Sequence, residues 1–180
     1  MLAESSSARL AGSVQVIFDC SELAIFIADQ VSKWWVTGPL GLVNENDQIV
    51  LTGFFNLTRT SNYGVSMGFL TADSIEMRWG LVAMTAAIAL VVFVWMLREK
   101  VLGEILPLGL ILGGALGNIL DRYKLGHVVD FADFHLGAWH FYIFNLADAA
   151  ISIGVVIILA RSFLIREKQA TDAGLPATET

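Results

Sequence analysis

Between Trp79 and Leu97 the chain runs for 19 residues without a charged side chain. As a helix rising 1.5 Å per residue, such a stretch covers about 28 Å, close to the hydrocarbon thickness of a bilayer. The rest of the chain must be arranged around a membrane. The composition agrees, because 56% of residues are hydrophobic, only 16% are charged and the mean hydropathy is +0.66, which excludes an ordinary soluble domain. A formal net charge of -6 leaves no basic stripe for phosphates, so no nucleic-acid partner is expected. The single cysteine, Cys20, excludes an intramolecular disulfide framework and any multi-cysteine metal site, and reads as a buried, inert thiol.

Four spans are expected, at about 10–35, 79–97, 101–120 and 139–163, within one membrane domain over residues 1–168. The first carries Gln15, Asp19, Glu22 and Asp29, and each charge at a helix centre costs about 2.5–3.5 kcal/mol. Asp19, Glu22, Phe26, Asp29 and Lys33 step by three and four residues, so they form one stripe that turns away from lipid. Asp29 and Lys33 stand at i and i+4, acid first, the favourable order for an ion pair. Trp34 and Trp35 then anchor the interface. In the third span Gly109, Gly113 and Gly117 recur every fourth residue, a small-residue face that lets another helix approach closely. Met1 to Ala8 lack the basic start and cleavage site of a signal peptide, and residues 169–180 form a polar tail expected to be disordered.

From Thr37 to Met77 the helical period is lost. Ile49 to Thr52 and Phe54 to Thr58 read as short strands, and loops this long are usually functional. With four spans the termini share a side with Arg9, Arg98, Lys100, Arg161, Arg166 and Lys168, hard against the helix ends; Lys33, Arg59, Arg78, Arg122 and Lys124 lie in longer segments opposite. That density places the termini inside and the two long loops outside.

The polar residues gather at the outer edge. Asn118, Asp121 and Arg122 fall at i, i+3 and i+4 at the end of the third span, and Asn145 and Asp148 share a face of the fourth. Asp130 lies between, in a Val-Val-Asp-Phe run that reads as a short strand. If the two helices are neighbours, Asp130 and Asp148 converge, and two close carboxylates share one proton. The charged member activates a water while the neutral one polarises a peptide carbonyl, which hydrolyses an amide with neither metal nor nucleophilic serine. Two other classes compete. His127, Asp130, Asp133, His135 and His140 suggest a zinc or other transition-metal site, although their spacing matches no compact ligand set. Intramembrane carboxylates also suit a proton-relaying transporter, although the polar groups gather at one edge and no internal repeat is visible. Asp29 with Lys33, and Asp121 with a basic neighbour or backbone donor, are readable as purely structural.

Five stretches, Asp29 to Lys33, Asn62 to Ser66, Gly113 to Arg122, Gly126 to Asp130 and Phe144 to Asp148, together with the four-span layout, closely resemble the lipoprotein signal peptidases. These are bacterial inner-membrane aspartic peptidases that act on lipid-modified prolipoproteins. The resemblance implies that Asp130 and Asp148 are the catalytic pair. It implies that Asn62, with Gly64 in the same motif, Asn118, Arg122 and Asn145 line the substrate site, supported by Asp29, Lys33 and Asp121. It further implies a small extracytoplasmic β-cradle in the first long loop, no cofactor, and a substrate signal peptide cleaved before its diacylglyceryl cysteine. A monomer in contact with membrane lipid is expected, with substrate entering laterally and the region from Asn62 to Gly68 acting as a lid.

Overall fold

The computed structural model describes residues 21–64, 75–99 and 101–172. Expectations for Asp19, Cys20, the first eight residues, the lid beyond Gly64 and the end of the tail lie outside these. Helix α1 occupies residues 21–37, followed by α2 (Ile75–Arg98), α3 (Leu102–Leu125) and α4 (Leu146–Asp172). Among the described residues three helices are long and apolar enough to cross a membrane, over Arg78–Arg98, Gly103–Leu125 and Leu146–Leu164. The chain is a membrane protein.

The helices bury charged residues beside an apolar core and turn large apolar side chains outward, unlike a soluble bundle. On α1, Leu23, Ile27, Val31, Trp34 and Trp35 are exposed, whereas Asp29 and Lys33 are buried. On α2, Ile88, Leu90 and Val91 face outward, while Ala89 and Met96 pack on Ile105, Leu108 and Leu112 of α3. Lipid is the solvent such a surface fits. At the end of the helices away from the sheet Glu104 of α3 meets Arg161 of α4 at 2.8 Å, so these two charges have each other as partners.

The glycine stripe of α3 does what its spacing predicts. A β-carbon at Gly113 would strike the backbone carbonyl of Glu22, and one at Gly117 would strike the carboxylate of Asp29, so α1 lies directly on this face. Gly114 admits α4 in the same way, with the Ala147 carbonyl 2.5 Å from the position a β-carbon would take. Gly117→Ala is expected to lower stability by about 1–3 kcal/mol, the usual cost of overpacking, read as a drop in thermal midpoint in detergent. An unchanged midpoint would mean that α1 gives way freely.

The opposite end is closed by an antiparallel sheet in the order β1 (Gln48–Val50), β2 (Phe55–Asn62), β3 (Val128–Leu136), β4 (Trp139–His140). The expected strands are present, but only β1 and β2 come from the first long loop. β3 and β4 come from the connection between α3 and α4, so the cradle belongs to both loops. Its central seam pairs Thr60 with Asp130 and Asn62 with Val128, after a register shift between Leu57 and Thr60. The fourth helix also starts later than expected, at Leu146 instead of about 139, because Trp139 and His140 are strand and Phe144 bridges Ala132. The third runs five residues beyond Leu120, to Leu125, and ends on Gly126 in the left-handed conformation (φ 86°), whose N–H reaches the Arg122 carbonyl. Arg78 of α2 donates to the Arg122 and Tyr123 carbonyls, supplying cationic donors where the helix dipole is negative.

Candidate active site

Asn145 is the residue from which the site is built. It stands just ahead of α4, and its side-chain oxygen accepts the Asp148 N–H at 2.9 Å while the Asp148 carboxylate accepts the Asn145 N–H at 3.3 Å. This is a reciprocal capping box, which satisfies donors that any helix start leaves orphaned. The cap also fixes the amide's orientation, since its oxygen is committed to the helix. Its NH2 must then point the other way, and it donates to Asp130 at 2.6 Å and to the Asn118 side-chain oxygen at 3.2 Å.

Asp130 is carried by β3 and is almost fully buried, at 1% exposure. Strand β3 is held against the approach to α4 by Phe144, whose carbonyl accepts from Ala132 at 2.7 Å, and this brings Asp130 beside Asn145. Asn62, at the end of β2, donates to the other Asp130 oxygen at 2.9 Å. Asn118 of α3 donates to Asp148 at 2.8 Å. Asp130 and Asp148 are thus joined through Asn145 and each is held by a further asparagine. Burial, and next the charge of Asp148, push the Asp130 carboxyl up to about 6, against the pull of the Asn62 and Asn145 hydrogen bonds. Asp130 therefore holds its proton to a higher pH than an isolated carboxyl would.

Behind it lies a second buried cluster. Lys33 reaches Asp29 and Asp121 at 2.8 Å each, and the Asn118 oxygen at 3.3 Å. Asp29 accepts the Ala147 N–H at 3.0 Å, and Asp121 accepts the Val129 N–H at 3.2 Å. Gln30 adds a bond to Asp121 at 3.0 Å. One lysine therefore ties α1 and α3 to the first turn of α4 and to the residue preceding Asp130. Both structural readings of Asp121, a cationic partner and a backbone donor, hold together.

Gly64 takes the left-handed conformation (φ 95°) and donates its N–H to the Asn62 side chain at 2.8 Å; a β-carbon there would lie 2.5 Å from Leu81. Arg122 faces the charges of Asp148, Asp130 and Asp121, and its buried Nε has no hydrogen-bond partner among the described residues. The histidine-rich stretch is divided differently. Asp130 and Asp133 stand three apart on one strand, so they point to opposite faces; Asp133 accepts from Thr58 and bonds His140, each at 2.8 Å.

The expected residues thus come together at one edge, with Asn62, Asn118, Asn145, Asp130 and Asp148 bonded to one another and the lysine cluster beneath. A profile described as Signal peptidase (SPase) II matches residues 22–164. The chain belongs to the signal peptidase II family. A lipoprotein signal peptidase of Rhizorhabdus wittichii is 54% identical over 144 residues, covering 79% of this chain and 83% of that one. One from Sphingopyxis alaskensis is 48% identical over 155 residues, covering 86% and 89%. A solved bacterial membrane enzyme superposes with a TM-score of 0.64 at 25% identity, over 94% of this chain and 95% of that one. Two residues at the site escape the sequence reading. Gln30 follows Asp29 on α1 without a sequence signal for its bond across to α3. Tyr142 belongs to no stretch that drew attention, and only the fold shows that its hydroxyl accepts from Asn62 at 2.8 Å.

Proposed function

We propose that the chain is an aspartic endopeptidase of four membrane spans, acting without a cofactor, that removes signal peptides from prolipoproteins by cleaving before the diacylglyceryl cysteine. The observation that carries this reading is the pair Asp130 and Asp148, joined by Asn145 at the outer edge of apolar helices. Asp148 takes a proton from water, and the resulting hydroxide attacks the peptide carbonyl. Asp130, neutral, hydrogen-bonds the carbonyl oxygen as it becomes an oxyanion; collapse of the intermediate returns the proton from Asp148 to the leaving amine. Asn118, Asn145 and Asn62 hold the two carboxyls in register, Gly64 shapes the turn beside them, and Arg122 offers a cationic donor to substrate carbonyls or lipid phosphate. Asp29, Lys33 and Asp121 fix the scaffold on which the pair stands.

A polar cleft of about 380 Å³ passes Asn62, Gly64 and Asp130, and an apolar cleft of about 420 Å³ runs from Asp148 along Ala149, Ser152 and Ile153. The first suits an extended peptide and the second an apolar chain arriving from lipid, so substrate enters laterally. The enzyme works as a monomer in the bacterial inner membrane, with both termini in the cytoplasm and the pair on the periplasmic side.

Cleavage of a diacylglyceryl-modified prolipoprotein by the purified protein in detergent, with and without a chelator, tests this directly. Chelator-resistant cleavage before the lipidated cysteine is expected. An intact, folded protein that cleaves nothing would overturn the peptidase reading, and cleavage abolished by the chelator would overturn the metal-free chemistry. A second expectation concerns pH. Because Asp130 must be neutral to serve the carbonyl and its carboxyl is raised to about 6, kcat/KM should fall as pH rises through that value. A rate that stays flat from about pH 5 to about pH 8 would remove the acid role from Asp130.

A further inference from the structure

Every amide hydrogen of Asn62 and Asn145 is already committed. Asn62 gives one to Asp130 and one to the Tyr142 hydroxyl, and its oxygen takes the Gly64 N–H. Asn145 gives its two to Asp130 and Asn118, and its oxygen is held by the helix cap. Neither has a donor left for a substrate without breaking a bond that supports a catalytic carboxyl. Tyr142 differs. Its oxygen accepts from Asn62, so the phenol is held in place, and its own O–H has no acceptor among the described residues. The side chain is 54% exposed and lines both the polar cleft beside Asp130 and the apolar cleft beside Asp148.

We propose that Tyr142 is a substrate-contacting residue: its hydroxyl, oriented by Asn62, donates a hydrogen bond to a peptide carbonyl of the bound signal peptide, and its ring forms the wall between the two clefts. Burial, followed by the charges of Asp130 and Asp148, pushes the phenol's pKa above its ordinary value, so the proton to be donated stays on the oxygen. No covalent step is involved. The hydroxyl positions the chain, and the chemistry remains with the aspartates. This inference rests on the peptidase reading above.

The test compares the unaltered protein with Tyr142→Phe and Tyr142→Ala, using purified diacylglyceryl prolipoprotein in detergent and measuring kcat and KM separately across pH. Tyr142→Phe keeps the ring and removes one hydrogen bond between neutral groups, so KM should rise about three- to tenfold with kcat within about twofold. Tyr142→Ala also removes the wall, and its KM should rise further. A lowered kcat with unchanged KM and a displaced pH profile in Tyr142→Phe would make the hydroxyl a prop for Asn62 and overturn the inference. Kinetics identical to the unaltered protein in both variants would overturn it as well, with the peptidase reading intact. Failure of the unaltered protein to cleave would remove both.

Discussion

Asp148→Asn is expected to reduce cleavage about a thousandfold or more while leaving a folded protein, and Asp130→Asn to do the same. The two losses have different origins. At position 148 the amide cannot take a proton from water, so the nucleophile is never generated. At position 130 the amide is a much weaker donor to the developing oxyanion than a carboxylic acid, and its NH2 meets the Asn62 or Asn145 amide donors that the Asp130 oxygens accept. Shape is preserved in both, and the cost to the fold is small and local. In Asp148→Asn, the Asn118 amide or the Asn145 N–H faces a donor in place of an acceptor, whereas the Asn145 oxygen still caps α4. One mispaired group of this kind costs about 1–3 kcal/mol. Turnover in purified variants, beside their thermal midpoints, checks both halves, and activity within about tenfold of the unaltered chain in either variant would move the chemistry off this pair.

Lys33→Met should cost about 3–5 kcal/mol of stability. The methionine keeps most of the volume and deletes the cation. Asp29 and Asp121, with side chains 0% and 5% exposed, then face one another with only Gln30 and two backbone donors between them. Removing one partner of a buried pair is far worse than removing the whole pair, because the charge left behind has lost both water and counter-ion. Neutralising the acids as well, in Lys33→Met with Asp29→Asn and Asp121→Asn, should recover a large part of the loss. Unfolding in detergent reads both, and a loss below about 1 kcal/mol in the single variant would show that water reaches the cluster.

What the sequence made legible was what local periodicity encodes. The Asp29 and Lys33 spacing, the glycine face of α3, the shared face of Asn145 and Asp148 and the strand around Asp130 all follow from 3.6- and 2-residue repeats, and all are present. Strand partners are set by tertiary context, so the pairing of β2 with β3 across two separate loops was invisible. The start of α4 was misplaced because Trp139 to Phe144 is as apolar as a span, although Asn145 and Asp148 at N-cap spacing were the better signal. Tyr142 carried none, since a tyrosine gains meaning here only from the asparagine that the fold sets opposite it.

The lysine cluster bears on how the protein is made. Helix α1 leaves the ribosome before α3 has been synthesised, so Lys33 has Asp29 at hand first, and Asp121 arrives about ninety residues later. Until then the charges that α1 buries in the folded protein lack the Asp121 partner that α3 brings. Docking of α3 through Gly113 and Gly117 completes the cluster against α1. The same event brings up the chain that will carry β3. Seating of the first helix and placement of the strand that carries Asp130 therefore both wait for α3.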